Sequence, residues 1–557
     1  MPLDGQRDLL ISGARIWSGW AQQPRPQALG IKDGKVAALG TVEEVAARLG
    51  TGFERLHLPG RAVLPAFHDA HCHPLHGGLQ RRRCDLEGQR TPADCQAAVH
   101  DYARAHPDRE WIVGGGWSME TFASGTPSHE LLDQVTANRP AFLTNRDGHS
   151  AWVNQKALAR AGIAATTPDP PHGRIERDPD GAPQGTLHEA AMGLVGGLIP
   201  APREEELVTA LLEAQRHLHS LGLVGWQDAS VDTRAERAYG LAQARGELTA
   251  RVRLALWWER DRGLEQIPEL EERRARLADE GLDAGSVKVM LDGVMETYTA
   301  ALLEPYLDPL GGGPAAGGAG HLFLDAELAR EAVTALDRLG FQVHFHAIGD
   351  RAVRVALDSV AAARSARGEG ASHGPRHQIA HLQLIDPDDI GRFRELGVTA
   401  NIQPFWACHE PQMDELTLPY LGELRGRRQY PFRSLLQRGA RLAGGSDWPV
   451  STADPLQEMA VAVSRVAPDA ARHGEPALPP FLPEERIGLE AALTAFTRGS
   501  AYVSHLERRA GDLGPGKWAD LVVLAQDPFQ VDPDRLPEAR VELTMVGGRV
   551  VYQQGGG

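Results

Sequence analysis

Two histidines one residue apart, His71 and His73, stand in the run Pro65-Ala66-Phe67-His68-Asp69-Ala70-His71-Cys72-His73-Pro74. In an extended chain residues i and i+2 share a face, so the two imidazoles can present their nitrogens to one point. That is a chelating pair. His68 falls outside it and reads as a structural histidine. Three later segments end on a further group able to bind metal: His346 in Phe341-Gln342-Val343-His344-Phe345-His346, His381 in Arg376-His377-Gln378-Ile379-Ala380-His381, and Asp447 in Leu442-Ala443-Gly444-Gly445-Ser446-Asp447. A lone histidine at a strand end usually just satisfies a local carbonyl. Only the set of four segments together points to a metal. Imidazole and carboxylate donors with few thiolates suit Zn²⁺ or another first-row divalent ion rather than Mg²⁺ or Ca²⁺. Two ions can be accommodated, with His71, His73 and Asp447 around one and His346 with His381 around the other.

Lys288 belongs with these residues for a different reason. Of the 58 lysines and arginines only five are lysines, and Lys288 alone lies inside an apolar, β-branched run, Ser286-Val287-Lys288-Val289-Met290-Leu291. A buried, unpaired ammonium is costly, and such lysines tend to have depressed pKa values. A neutral amine can act as a base, form a Schiff base or take up CO2 as a carbamate. The carbamate fits the neighbouring donors best, because it replaces a buried positive charge by a negative one and can bridge two ions through its two oxygens. The bland alternative is a lysine that reaches out of the strand or pairs with Asp292.

These residues need elements that bring them together. Strand-like runs at 63–67, 223–228, 252–257, 286–291, 341–346, 377–381, 398–402 and 440–445 alternate with amphipathic helical segments such as 204–221 and 328–339. That pattern fits βα units on a parallel sheet, and eight strands suggest a closed barrel whose chemistry lies at the C-terminal strand ends. Short strands near both chain ends (Leu9–Ser12, Val36–Leu39, Leu521–Leu524, Val541–Val546) are expected to pair into one sheet. The expected fold class is α/β: a TIM-like (β/α)8 barrel with a small β-sandwich built from both ends and an α/β insertion after barrel strand 1. Its boundaries are 1–60 and 501–557 for the sandwich, 61–80 for strand 1, 81–205 for the insertion and 206–500 for the rest of the metal-binding barrel. The glycine-rich segment 311–320 is expected to be a mobile loop beside the site.

Composition narrows the partners. A net charge of −16 without long like-charge runs argues against nucleic acid or an anionic membrane, and the apolar runs are too short to span a bilayer. The expected partner is a small-molecule substrate, with a homodimer as the default assembly. A start without a basic, then apolar leader points to the cytoplasm. Four irregularly spaced cysteines read as reduced thiols.

Taken together, the donors resemble the amidohydrolase superfamily. Finer matches to amidohydrolase family 3, the branch that includes N-substituted formamide deformylases, are Asn145-Arg146-Asp147-Gly148-His149-Ser150-Ala151-Trp152, Lys288-Val289-Met290-Leu291-Asp292-Gly293, His346-Ala347-Ile348-Gly349-Asp350-Arg351, Gly445-Ser446-Asp447-Trp448-Pro449-Val450 and Gly514-Pro515-Gly516-Lys517-Trp518-Ala519-Asp520-Leu521. The resemblance implies hydrolysis of an amide or formamide C–N bond by a metal-activated water, with Asp447 as general base and then acid. It implies two divalent ions, Zn²⁺ foremost, and a carboxylated Lys288. His149 is expected to contact the oxyanion, Glu189 to stand on the rim, and Trp117, Phe405 and Trp406 to line an apolar pocket. One rival is a mononuclear deaminase of an aminated heterocycle, which has no need of Lys288. The other is a non-catalytic scaffold, which has no reason to keep donors on five strands.

Overall fold

The computed structural model describes residues 8–555 except 21–25, 124, 309–317, 369–373 and 469–477. Residues 311–317 of the glycine-rich segment therefore lie outside the described residues. Eight strands form one parallel sheet in sequence order: β1 (Phe67–Cys72), β2 (Leu223–Val231), β3 (Arg251–Trp257), β4 (Asp283–Met290), β5 (Gln342–Ala347), β6 (Gln378–His381), β7 (Thr399–Ile402) and β8 (Arg441–Gly444). Every neighbouring pair is parallel. At the C-terminal end the ring closes between β8 and β1, where Asp447 N–H donates to the His71 carbonyl at 2.7 Å and His73 N–H to that of Trp448 at 2.8 Å. The fold is a TIM-like barrel.

The alternation of side chains sets its inner and outer faces. On β4 and β5, Val287, Val289, Val343 and Phe345 turn outward into the helix-packed core, which leaves Ser286, Lys288, Gln342, His344 and His346 for the interior. Helix Glu204–Ser220 shows how the outer ring is specified: Leu207, Val208, Leu211, Ala214 and Leu218 are buried at helical spacing. Glu204, Glu205 and Glu206 in its first turn complement the helix dipole.

Two expectations about the strands need correction. The run 63–67 is not barrel strand 1. Ala62–Pro65 pairs antiparallel with Leu521–Leu524 in a five-stranded sheet, and the chain enters the barrel only at Phe67, whose N–H bonds to Gly222. The polar letters of β1 hid it, because a strand lining a barrel mouth is buried without being apolar. Nor do the chain ends merge into a single sheet. Leu9–Ser12, Ala28–Lys32, Lys35–Gly40 and Glu54–His57 form a separate four-stranded sheet, while Arg15–Ile16 and Ala62–Pro65 join the C-terminal strands. Ile11, Leu29, Val63, Val523 and Met545 share a core between the two sheets.

Between β1 and β2 the chain builds a six-stranded sheet from Cys84–Asp85, Ile112–Trp117, Ala141–Asn145, Ser150–Val153, Gly173–Arg177 and Pro183–Glu189. It has apolar clusters of its own on both faces. The four cysteines are buried and unpaired. Among the described residues no helix is long and apolar enough to cross a membrane.

Candidate metal centre

The C-terminal ends of β1, β4, β5, β6 and β8 bring six sequence-predicted residues into one cluster. His71 Nε2 lies 3.2 Å from Asp447 Oδ1 and 3.4 Å from Lys288 Nζ. His73, just past β1, sets its Nε2 2.9 Å from the same Oδ1. His381 Nδ1 is 3.8 Å from Asp447 Oδ2, and its ring centroid lies 4.8 Å from that of His71 and 4.3 Å from that of His346. His381 thus touches both of the expected ligand groups rather than one. It faces inward although Gln378, three residues earlier on the same strand, also does. Left-handed backbone at His381 (φ 77) and Leu382 (φ 53) breaks the two-residue alternation, and Asp447 (φ 57) is turned in the same way.

The chemistry of this cluster suits a divalent cation. Among the described residues neither ring nitrogen of His381 has a hydrogen-bond partner, although both are buried. One donor atom from each of His71, His381 and Asp447 lies within 4.8 Å of the others. Burial, reinforced by Lys288 and neighbouring imidazoles, pushes His71, His346 and His381 well below the usual imidazole range, which keeps their lone pairs free. Burial acts on Asp447 in the opposite sense. The His73 hydrogen bond and the nearby His381, His73 and Lys288 outweigh it and hold the carboxyl below its ordinary value. Burial draws the Lys288 amine down to about 7 against the pull of Asp447. Asp292 is not the partner of Lys288: its carboxylate accepts N–H bonds from Ala301, Ile348 and Gly349 at 2.9, 3.0 and 2.8 Å.

The cluster floors a cavity of about 630 Å³, a size that suits a small organic molecule. His149 reaches its wall from the insertion. His149 Nδ1 is bonded at 2.9 Å to Glu189 Oε1, which also accepts from Thr299 Oγ1 at 3.1 Å. Burial alone would lower His149, but Glu189 outweighs it, with Asp147 and Asp447 adding, and raises the imidazole to about 9. It is a cation at neutral pH.

Two predicted lining residues do not reach the cavity. Trp117 is fully buried in the insertion, packed against Phe122 and Trp152, with its indole N–H bonded to the Leu143 carbonyl at 2.8 Å. A tryptophan at the end of a sheet strand had an apolar core to fill. Phe405 packs against the barrel core, while its neighbour Trp406 lines the cavity and stacks on His381 at 5.7 Å. Both sit on the 3₁₀ turn Pro404–Trp406, where consecutive side chains diverge by about 120° and only one can face inward.

Further residues support the cluster from behind. His344 Nε2 lies 2.8 Å from His71 Nδ1 and so leaves Nε2 of His71 to face Asp447 and Lys288. Its i, i+2 spacing from His346 was a readable signal. Asp69 accepts from Ser446 Oγ at 2.5 Å and from the N–H groups of His71 and Ser446, which ties β1 to the Asp447 turn. Nothing local in the sequence joins residues so far apart.

A model of the amidohydrolase family matches residues 57–552. The chain belongs to the amidohydrolase family. Along nearly its whole length it is similar to two curated relatives. The Arabidopsis thaliana protein LONG AFTER FAR-RED 3 is 30% identical, over 98% of this chain and 91% of that protein. An N-substituted formamide deformylase of Arthrobacter pascens is 27% identical, over 99% of each chain. Among solved structures, a metal-dependent hydrolase from Pyrococcus horikoshii superposes with a TM-score of 0.71 at 25% identity, covering 94% of this amidohydrolase and 99% of that chain. This amidohydrolase therefore carries its donors on a metal-dependent hydrolase scaffold.

Proposed function

We propose that this amidohydrolase cleaves the C–N bond of a small amide or N-substituted formamide, with two divalent ions, Zn²⁺ foremost, held by His71, His73, Lys288, His346, His381 and Asp447. The observation that carries the reading is the convergence of these groups, with both nitrogens of His381 unpartnered, at the floor of a cavity. Likeness to the Arthrobacter formamide deformylase supports the choice of bond. When bound, the ions would supply Lewis-acid polarisation of the carbonyl and make water a better nucleophile at neutral pH.

The remaining roles fall to the chain's own residues. Asp447, a carboxylate at neutral pH, accepts the proton of the attacking water and returns it to the leaving nitrogen. His149, held as a cation by Glu189, presents an N–H to the oxygen that gains charge. Lys288, buried beside His71 without a carboxylate at contact distance, adds CO2 through its amine to give an N6-carboxylate and a proton. Its presence among the donors favours this reading over a mononuclear deaminase.

The test is His71→Ala assayed against a panel of N-substituted formamides and amides, with metal content and intact mass measured in parallel. Loss of bound metal and of turnover, with a carboxylate-sized mass increment on wild-type Lys288, is expected. Unchanged activity in the variant would refute the reading.

A further inference from the structure

Against the main cavity lies a smaller pocket of about 190 Å³, formed where the insertion meets the helix after β1. The two share His76, Gln80, Arg83, Thr144, Pro202 and Arg234 as walls, so a molecule seated at the metal centre can extend into the second. Val113, Phe142, Ile199 and Pro200 make the rest of its lining largely apolar, and among the described residues no carboxylate faces it.

Its charged groups are unevenly matched. Arg234, at the exposed rim, is paired with Asp232 at 2.8 Å. Arg81 and Arg82 both reach Glu213, at 3.8 and 3.4 Å. Arg83, half-buried beside them, makes no ion pair or hydrogen bond through its guanidinium among the described residues, and burial outweighs the support that Tyr102 and Glu206 give its charge from further off. Gln80, only 9% exposed, likewise has no partner for its side-chain amide there. A partly desolvated guanidinium and an amide that makes no hydrogen bond thus stand side by side on the pocket wall, both free to serve a ligand that enters it. The Arg146 guanidinium, on the main cavity, differs. Arg146 already faces Gln412 and Glu410, with Asp147 and Glu296 close enough to add to its positive stabilisation.

We propose that the side pocket seats a carboxylate of the substrate, gripped by the Arg83 guanidinium with the Gln80 amide as a second donor. The inference rests on the hydrolase reading above and extends it to a substrate class: amides with an acidic group at the end remote from the scissile bond. Guanidinium and carboxylate match as a two-pronged pair, and the apolar walls strengthen it by excluding water. The span is set by the helix Pro74–Gln80 that links His73 to this pocket. At about 1.5 Å per residue the two ends stand roughly 10–15 Å apart, the reach of a chain of several methylenes plus the arginine side chain.

The probes are N-formyl-ε-aminocaproate and its neutral isostere N-formyl-ε-aminocaproamide. Binding to the full-length protein is measured by calorimetry in an Asp447→Asn background, which prevents turnover and whose metal content is measured first, with Arg83 intact, as Arg83→Gln and as Arg83→Lys. The acid is expected to bind at least about tenfold tighter than the carboxamide, about 1.4 kcal/mol or more. Arg83→Gln should remove most of that difference and Arg83→Lys should keep part of it, which a folding defect would not do. Equal binding of the two probes, or a preference that survives Arg83→Gln, overturns the proposal. Formate release by the protein with Asp447 intact tests the reaction separately. If neither probe yields formate while the Arg83-dependent preference persists, the hydrolase reading falls and the carboxylate pocket stands.

Discussion

Two polar layers cross the interior of this barrel, and they treat their hydrogen bonds in opposite ways. In the lower one Gln227 Nε2 donates to Ser286 Oγ at 2.8 Å and to Gln342 Oε1 at 3.1 Å. Gln378 Nε2 donates to Gln227 Oε1 at 2.6 Å, Asn401 Nδ2 to Gln378 Oε1 at 2.9 Å, and Gln403 Nε2 to Asn401 Oδ1 at 2.8 Å. Each of these side chains has partners within the fold, and Gln403 Oε1 also accepts the His381 N–H at 2.7 Å. In the upper one, among the described residues, the ring nitrogens of His381 make no hydrogen bond, the Lys288 amine bonds only to His71, and one carboxylate, Asp447, faces several imidazoles. Unpaired polar groups inside a fold are expensive, so their persistence at one level and not the other marks where an external ion and substrate complete the structure. His68 shows the limit of the criterion: its ring is also buried without partners, but it faces Gly225 on the outside of β1, away from the donors.

The contrast is broken most severely at Asp447. Replacing it by asparagine removes the proton acceptor while keeping the shape of the side chain, so kcat on a formamide substrate should fall by about 10³-fold. The far-ultraviolet circular dichroism should stay unchanged. A variant retaining a tenth of the activity would show that the upper layer is structural.

The lower layer answers to stability instead. Gln378→Ala strips partners from Gln227, from Asn401 and, at 3.4 Å, from His344. Each is then left buried and short of a bond, and urea denaturation should report a loss of about 2–3 kcal/mol. Metal content per chain should be retained. Loss of metal without loss of stability would reverse the roles of the two layers.

How far the two layers were legible in the sequence follows from their geometry. The upper one was readable because its donors are chemically distinctive and sit at strand ends: His71, His73, His346, His381 and Asp447 identified themselves by residue type and spacing. The lower one is made of glutamine, asparagine and serine, which carry no such signal, and its bonds link strands far apart in the chain. The same limit explains β1. Its burial comes from closing the barrel, which no local period encodes, so the run 63–67 reads as the barrel strand that Phe67–Cys72 in fact forms. Trp117 and Phe405 failed for a further reason, since an aromatic residue looks alike in a core and on a pocket wall until its neighbours are known.

A satisfied histidine outside the barrel extends the comparison to pH. His188 uses both ring nitrogens, with Ser150 Oγ at 2.7 Å and Glu176 Oε1 at 3.0 Å. Burial would raise Glu176, but His188 and Arg174 outweigh it and lower the carboxyl from 4.5 to about 2. A folded-state pKa below the unfolded one means that the stabilisation is present above pH 4.5 and is lost as pH falls through about 2. The linked contribution is at most about 3 kcal/mol. Glu176→Gln should therefore flatten the acid limb of a stability-versus-pH curve between those values and cost less at pH 3 than at pH 6. An equal cost at both pH values would mean that the pair contributes packing and not charge.

The smallest expected effect is the sharpest test of the contrast. His381→Leu removes two buried nitrogens that bond to nothing, and leucine still gives Trp406 an apolar surface in place of the stacked imidazole. In chelator-treated protein the stability should change by less than about 1 kcal/mol, since the lost ring contacts are offset by relief of an unsatisfied polar group. Zinc then separates the two proteins. Wild type should gain stability with added ion according to RT ln(1 + [L]/Kd), while the variant gains less at every concentration. A loss of several kcal/mol in the chelated variant would mean that His381 already has its partners within the fold, and the upper layer would then be as closed as the lower.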